Sequence, residues 1–182
     1  VLGAGAWGTA LALAQARAGR DVTLWSRSAD AASQINDQQG NDAYLPGIRF
    51  DAPLRVTANA AEALGDASLV IAVIPAQSLR EALVTLAPHV PAKIPVILCA
   101  KGIEKNTGLL MSAVLRQCLP DNPAAALSGP SFAADVARGL PTAVTVAAAG
   151  MDLAGNLAAN LSTPSLRCYS SDDLIGVETG GA

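Results

Sequence analysis

The sequence predicts an α/β fold: a doubly wound, mainly parallel sheet covered by helices on both faces. Three observations carry that expectation. Short apolar runs alternate with longer stretches of helical spacing, a glycine-rich turn joins the first apolar residues to the first helical stretch, and polar residues gather where the apolar runs stop. A strand followed by a helix, repeated, gives parallel βαβ units wound right-handed into one sheet, because a twisted strand feeding a helix packs back onto the sheet in that hand.

The elements follow in order. Only Val1 and Leu2 precede the first glycine, whereas strands run about 5 to 6 residues, so a trimmed start is expected. Residues 7–18 have helical spacing and stop at Gly19, which can take the left-handed conformation that ends helices. Residues 22–25 read as a strand, 29–39 as a helix, and the polar, turn-rich stretch 40–53, with Pro46-Gly47, as the longest loop. Strands are expected at 69–74, 96–100, 124–127, 141–149 and 165–171, for their length and apolar content. Helices are expected at 78–86 before Pro88, at 107–118 before Pro120, at 132–137 and at 151–161, with Asp172 or Asp173 capping one more. All 182 residues are read as one domain with no internal repeat.

Composition excludes several classes. With 51% hydrophobic and 15% charged residues the chain has ample apolar surface for a core. Twelve Lys and Arg against fifteen Asp and Glu give a net charge of -3 with no like-charge run, so no nucleic-acid partner is indicated. Cys99, Cys118 and Cys168 are odd in number and lack CxxC spacing, which points to reduced thiols in a cytosolic compartment and away from structural zinc. His89 is the only histidine, so neither a His-based metal site nor a Ser-His-Asp triad is expected, and it is read as structural. No apolar run approaches the roughly 20 residues of a membrane span, and no basic segment precedes the first apolar stretch, so neither membrane insertion nor a signal peptide is expected.

Gly3-Ala4-Gly5-Ala6-Trp7-Gly8 has the GxGxxG spacing in the one context that makes it meaningful, directly after a strand end and before a helix. Gly3 permits the tight turn, Gly5 lets main chain approach a pyrophosphate, and Gly8 lets the helix lie close to the sheet. The first-turn N–H groups and the helix dipole favour phosphate there. Trp7 either packs or lines the dinucleotide site. Where the second strand ends, a carboxylate would bind ribose hydroxyls and a cation would accommodate a 2′-phosphate. The residues there are Trp25-Ser26-Arg27-Ser28. Arg27 therefore suggests NADP, with NAD left open by Asp30; the bland alternative is a solvated arginine.

Ligands of open α/β sheets collect at the carboxyl ends of the strands. Lys101-Gly102 follows one expected strand and Ser128-Gly129-Pro130-Ser131 another, the latter leading into a helix. Lys101 with Ser131 suggests a pocket for a phosphorylated or otherwise acidic small molecule, against the alternatives of a solvated lysine and a plain N-cap. Val73-Ile74-Pro75-Ala76-Gln77 ends a strand in a similar way, although a turn alone explains it. Tyr44 in the long loop either brings a ring over the dinucleotide or packs on the surface.

GAGAWGTALA, VTLWSR, NDAYLPG, the KGIE that begins at Lys101, LSGPSFAADVARGLPTAV and YSSDDLIGVETGGA occur in order across nearly the whole chain. On these motifs it resembles the N-terminal, Rossmann-type domain of bacterial NAD(P)-dependent glycerol-3-phosphate dehydrogenase. The resemblance implies reversible hydride transfer between NAD(P)H and dihydroxyacetone phosphate, giving sn-glycerol 3-phosphate for phospholipid synthesis in the cytoplasm. It implies that Lys101 contacts both cofactor and substrate, that Gly129 and Ser131 bind substrate, and that Ala6, Trp7, Arg27, Tyr44 and Ala133 contact the cofactor beside Gly3, Gly5 and Gly8. It places the general acid/base lysine and a helical substrate domain beyond Ala182, so that the 182 residues would bind cofactor without turnover. Two alternatives stand beside this reading: a related dehydrogenase of another small acid, and a non-catalytic NADPH-sensing module. A homodimer of the full-length chain is left open.

Overall fold

A computed structural model describes residues 1–181. Strands β1 (Thr23–Trp25) and β2 (Arg55–Thr57) pair in parallel, and β3 (Val70–Ala72), β4 (Val96–Leu98), β5 (Ala124–Ser128), β6 (Thr142–Ala148) and β7 (Leu166–Ser171) lie side by side in that order. Leu2 joins the two groups through parallel bridges to Trp25 and Ala72. Its N–H donates to the Ile71 carbonyl at 2.8 Å, and its carbonyl accepts from Val73 N–H at 2.8 Å. Val1 and Leu2 thus hold the central strand position, which aims the glycine turn outward between β1 and β3.

The helices are α1 (Ala6–Arg17), α2 (Ala29–Gln38), α3 (Ala60–Leu64), α4 (Ala76–Leu86), α5 (Met111–Cys118), α6 (Ala133–Ala137), α7 (Met151–Leu161) and α8 (Leu174–Gly180). Strand alternation shows why helices cover both faces. Val70, Ala72, Val96 and Leu98 pack with Leu79 and Leu83 of α4 and with Met111 and Leu115 of α5. Ile71 and Ile97, one residue out of phase, pack on the opposite side with Leu11 of α1 and Leu157 and Leu161 of α7. Leu79 and Leu83 are fully buried, so truncating either to alanine is expected to cost about 2–5 kcal/mol. Helix α1 is buried from Gly8 through Ala16, on all sides. Its small residues let the sheet, α6 and the long loop close around it.

The fold agrees with the expected class and differs in particulars. β6 runs antiparallel to β5, then pairs in parallel with β7, where a parallel unit was expected. A parallel crossover needs a helix laid across the sheet; the only helix between β5 and β6 is the five-residue α6, which packs on α1 through Val136 and Ala137. β2 and α3 were not expected, since three and five residues are too short for a period to show. Helix α5 starts at Met111, later than the expected 107. Residues before it are held in a closed loop by a bridge between Ile103 and Leu110 and by Gly108 at φ +70°. Asp173 caps α8, accepting from Gly176 N–H at 2.8 Å, as one of the two expected caps.

Candidate dinucleotide and anion site

The turn after Leu2 is shaped by what its glycines touch. Gly3 has φ +110°, and a Cβ there would lie 2.4 Å from the Val73 carbonyl oxygen. A Cβ on Gly8 would lie 1.8 Å from the Gly3 carbonyl oxygen. Both contacts are to main chain, which cannot move aside. Gly5 differs: a Cβ there meets nothing within 4 Å, so its lack of a side chain leaves open space in front of the backbone. Gly5 is also the N-cap of α1, with no side-chain cap and no acid in the first turn. Among the described residues the N–H groups of Gly5, Ala6 and Trp7 have no protein acceptor. Free donors, the positive helix end and bare main chain make a cradle whose chemistry fits a pyrophosphate.

Neighbouring elements hold this cradle. Asn41, almost fully buried, donates through Nδ2 to the Ala4 carbonyl at 2.9 Å and to Thr9 Oγ1 at 2.8 Å. It ties the loop after α2 to the glycine turn. Asn41 lies inside the NDAYLPG motif, yet nothing local marks one loop asparagine as buried. Tyr44, on the same loop, is exposed while its neighbour Leu45 is buried against Ala10 and Ala14. Ala6, Trp7 and Ala133 pack on this same cluster, so the first turns of α1 and α6 meet. Trp7 packs on the main core as well; its packing role is direct. Behind it Cys99 is buried, which pushes its thiol up to about 12, and Cys118 and Cys168 are also raised by burial. All three are free thiols, and the raised values leave them weak nucleophiles.

At the end of β1, Ser26 is buried while Arg27 is exposed and makes no ion pair among the described residues. Ser28 caps α2, accepting from Ala31 N–H at 3.2 Å. Arg27 thus stands free between two anchored serines beyond the carboxyl edge of the sheet.

The ends of β4 and β5 bring Lys101 and Gly129 together: Lys101 Nζ lies 3.5 Å from the Gly129 carbonyl oxygen. Ser131 is tied to the same turn by its N–H, which donates to Gly129 O at 3.1 Å. Ser131 is not an N-cap, however, because α6 starts at Ala133 with Phe132 in the cap position. Five residues also give that helix too little dipole to attract an anion by itself. The Ser131 side faces a small cavity of about 290 Å³ that it shares with Phe132, Asp135 and Thr142, and Lys101 does not line it. The larger cavity, about 670 Å³, opens at the opposite edge of the sheet beside Thr23, Leu69 and Pro95. Those residues begin or immediately precede strands, so this cavity lies away from the edge where such sheets hold ligands.

Two further residues pack near the start of α5 and the end of β5; both lie inside the YSSDDLIGVETGGA motif, yet nothing local marks what they touch. Glu178 of α8 is buried and accepts from Ser112 N–H at 2.8 Å and from the Ser112 hydroxyl, capping α5 from 66 residues away. Gly181 lies against Ser128, where a Cβ would come within 2.5 Å of Oγ. The last residue of the GGA motif, Ala182, lies outside the described residues. Glu104, in the loop after Lys101, has its carboxyl held down at about 2 by hydrogen bonds from Arg80 first and Thr107 second.

Fold and glycine turn together define the class, a Rossmann-type domain with its ligand edge at the carboxyl ends of the strands. Residues 1–154 match the family described as NAD-dependent glycerol-3-phosphate dehydrogenase N-terminus, and the chain belongs to that family. It is 60% identical over 182 residues to a glycerol-3-phosphate dehydrogenase (NAD(P)+) of Chelativorans sp., covering 100% of this chain and 56% of that protein. It is 58% identical to the enzyme of the same name from Mesorhizobium japonicum, covering 53% of it. The chain therefore spans little more than half the length of these curated relatives. Among solved structures it is similar to glycerol-3-phosphate dehydrogenase from Coxiella burnetii, with TM-score 0.91 at 36% identity, over 99% of this chain and 55% of that one. The yeast enzyme superposes with TM-score 0.86 at 25% identity, over 100% of this chain and 58% of that one. Among the described residues no helix is long and apolar enough to cross a membrane, and no group of His, Cys, Asp and Glu could hold a metal ion.

Proposed function

We propose that this chain is the nicotinamide-dinucleotide-binding part of an NAD(P)+-dependent glycerol-3-phosphate dehydrogenase. In this reading the enzyme interconverts dihydroxyacetone phosphate and sn-glycerol 3-phosphate in the cytoplasm, for phospholipid synthesis. The observation that carries it is the bare main chain at Gly5, on an uncapped helix start, with the Lys101 ammonium beside Gly129 at the same sheet edge.

Each residue then has a task. Gly5, Ala6 and Trp7 offer N–H groups to the pyrophosphate, and Gly3 and Gly8 keep that turn close to the sheet. Arg27 lies where a ribose 2′-phosphate would extend, which favours NADP while leaving NAD acceptable. Tyr44 and Ala133 flank the dinucleotide from the long loop and from α6. The chemistry a bound nicotinamide supplies is hydride transfer to the carbonyl carbon. Lys101 neutralises the phosphate ester and touches the dinucleotide, while Gly129 and Ser131 contact the substrate. The proton for the developing alkoxide falls to a lysine placed after Ala182.

The test is a fluorescence titration of this chain with NADPH and NADH, followed by an assay of the full-length protein with dihydroxyacetone phosphate. Binding of either dinucleotide and substrate-dependent NAD(P)H oxidation are expected. Binding without any turnover by the full-length protein would favour a sensing module instead, and absence of binding would overturn the reading.

A further inference from the structure

Lys101 is exposed, and among the described residues its ammonium makes one hydrogen bond, at 3.5 Å. The loop that carries it is nevertheless fastened. Gln77, in the first turn of α4, donates through Nε2 to the Ile103 carbonyl at 2.9 Å and accepts at Oε1 from Lys105 N–H at 3.0 Å. One turn on, Arg80 donates through Nε and Nη2 to the two oxygens of Glu104, at 2.8 and 2.9 Å. Positions three apart share a helix face, so α4 grips three consecutive loop residues from one side. The loop is closed on itself as well: Glu104 N–H donates to Leu109 O at 2.9 Å and Gly108 N–H to Glu104 O at 2.8 Å. Between this clamp and Lys101 stands only Gly102, at φ +123°, where a Cβ would come within 3.6 Å of Ala76 Cβ on α4.

We propose that Gln77, seconded by the Arg80–Glu104 pair, is a positioning residue that sets where the Lys101 ammonium points. The inference rests on the functional reading above. An amide whose two ends both bind loop backbone fixes one register of the loop, and a two-pronged guanidinium–carboxylate pair restricts its rotation. The Pro75-Ala76-Gln77 segment, which a turn alone could explain in the sequence, thereby acquires a specific role at the site.

The test uses the full-length protein. Gln77→Ala is expected to keep the far-ultraviolet circular dichroism spectrum and to lower kcat/KM for dihydroxyacetone phosphate about tenfold or more, the scale on which small misplacements act. Gln77→Glu keeps the acceptor for Lys105 N–H and loses the donor to Ile103, so its loss is expected to fall in between. In a Lys101→Ala background, Gln77→Ala should change kcat/KM by less than about twofold, because the two residues act as one unit. The full loss persisting in that background, or kcat/KM kept within about twofold in Gln77→Ala itself, would overturn the proposal. If Gln77→Ala fails to fold, Gln77→Glu carries the same cycle. A wild-type protein that does not reduce dihydroxyacetone phosphate overturns the functional reading instead. The clamp is then judged by hydrogen exchange of the Lys105 amide, which must quicken in Gln77→Ala, where its acceptor is removed, and unchanged exchange in that variant refutes it.

Discussion

The glycine turn and the Lys101 loop sit at the same edge of the sheet, and both present positive potential, but they are made in different ways. The turn is main chain: bare amides at the start of α1, shaped by contacts of Gly3 and Gly8 with carbonyl oxygens. The Lys101 loop is side chain: one ammonium aimed by residues from α4 and braced by α8 through α5. A backbone site tolerates nothing at its contact points, because a carbonyl cannot step aside. A side-chain site degrades by degrees as its tethers are removed.

The largest expected effect follows from that contrast. Gly8→Ala drives a methyl into the Gly3 carbonyl and should lower stability by about 3 kcal/mol or more in urea denaturation, if the chain folds at all. A wild-type-like midpoint would mean the turn is softer than its contacts imply. Next comes Gly5→Val, whose Cβ meets nothing within 4 Å in the free chain. Its melting temperature should stay near wild type while NADPH affinity falls about a hundredfold, worth about 2.7 kcal/mol. Equal damage to folding and binding would mean that Gly5, like Gly3 and Gly8, is needed for the fold itself.

On the other side, Glu178→Gln weakens two charge-assisted bonds to the start of α5, and a loss of about 1–3 kcal/mol is expected in the same denaturation assay. Arg27→Ala should weaken NADPH about tenfold and NADH little, as read by fluorescence titration; equal losses would refute a 2′-phosphate role. The smallest effect concerns acid. Glu104 in the folded chain ionises at about 2, below the ordinary 4.5, so the unfolded chain binds more protons in between. The stabilisation from the Arg80 pair is fully present above about pH 4.5 and fades as pH falls through about 2. An NMR titration of the Glu104 carboxyl with a midpoint near the ordinary value would show that the pair does not hold in solution.

Legibility divided along the same line. GxGxxG between a strand end and a helix is a local signal, since each glycine's reason lies within a few residues or in the adjoining strand. Lys101 and the Ser128-Gly129-Pro130-Ser131 turn were also legible, as polar segments following apolar runs. Asn41, Gln77, Arg80 and Glu178 were not, because each acts across at least 24 residues of chain and an exposed or loop amide has no periodic mark. Ser131 shows the reverse case: its Gly-Pro context suggested an N-cap, yet α6 begins two residues later. The antiparallel turn of β6 was hidden too, since its alternation is the same in either direction.

By itself the amino-acid order determined the class of fold, the glycine turn, the family and the two strand ends that carry polar residues, because these depend on periodicity and on the steric needs of single positions. Only the tertiary structure decided that α6 folds against α1, that Ser131 but not Lys101 lines the small cavity beside Phe132, and that α4 and α8 fasten the Lys101 side. Those outcomes depend on which surfaces meet after the chain has closed, and long-range packing writes no pattern into neighbouring residues.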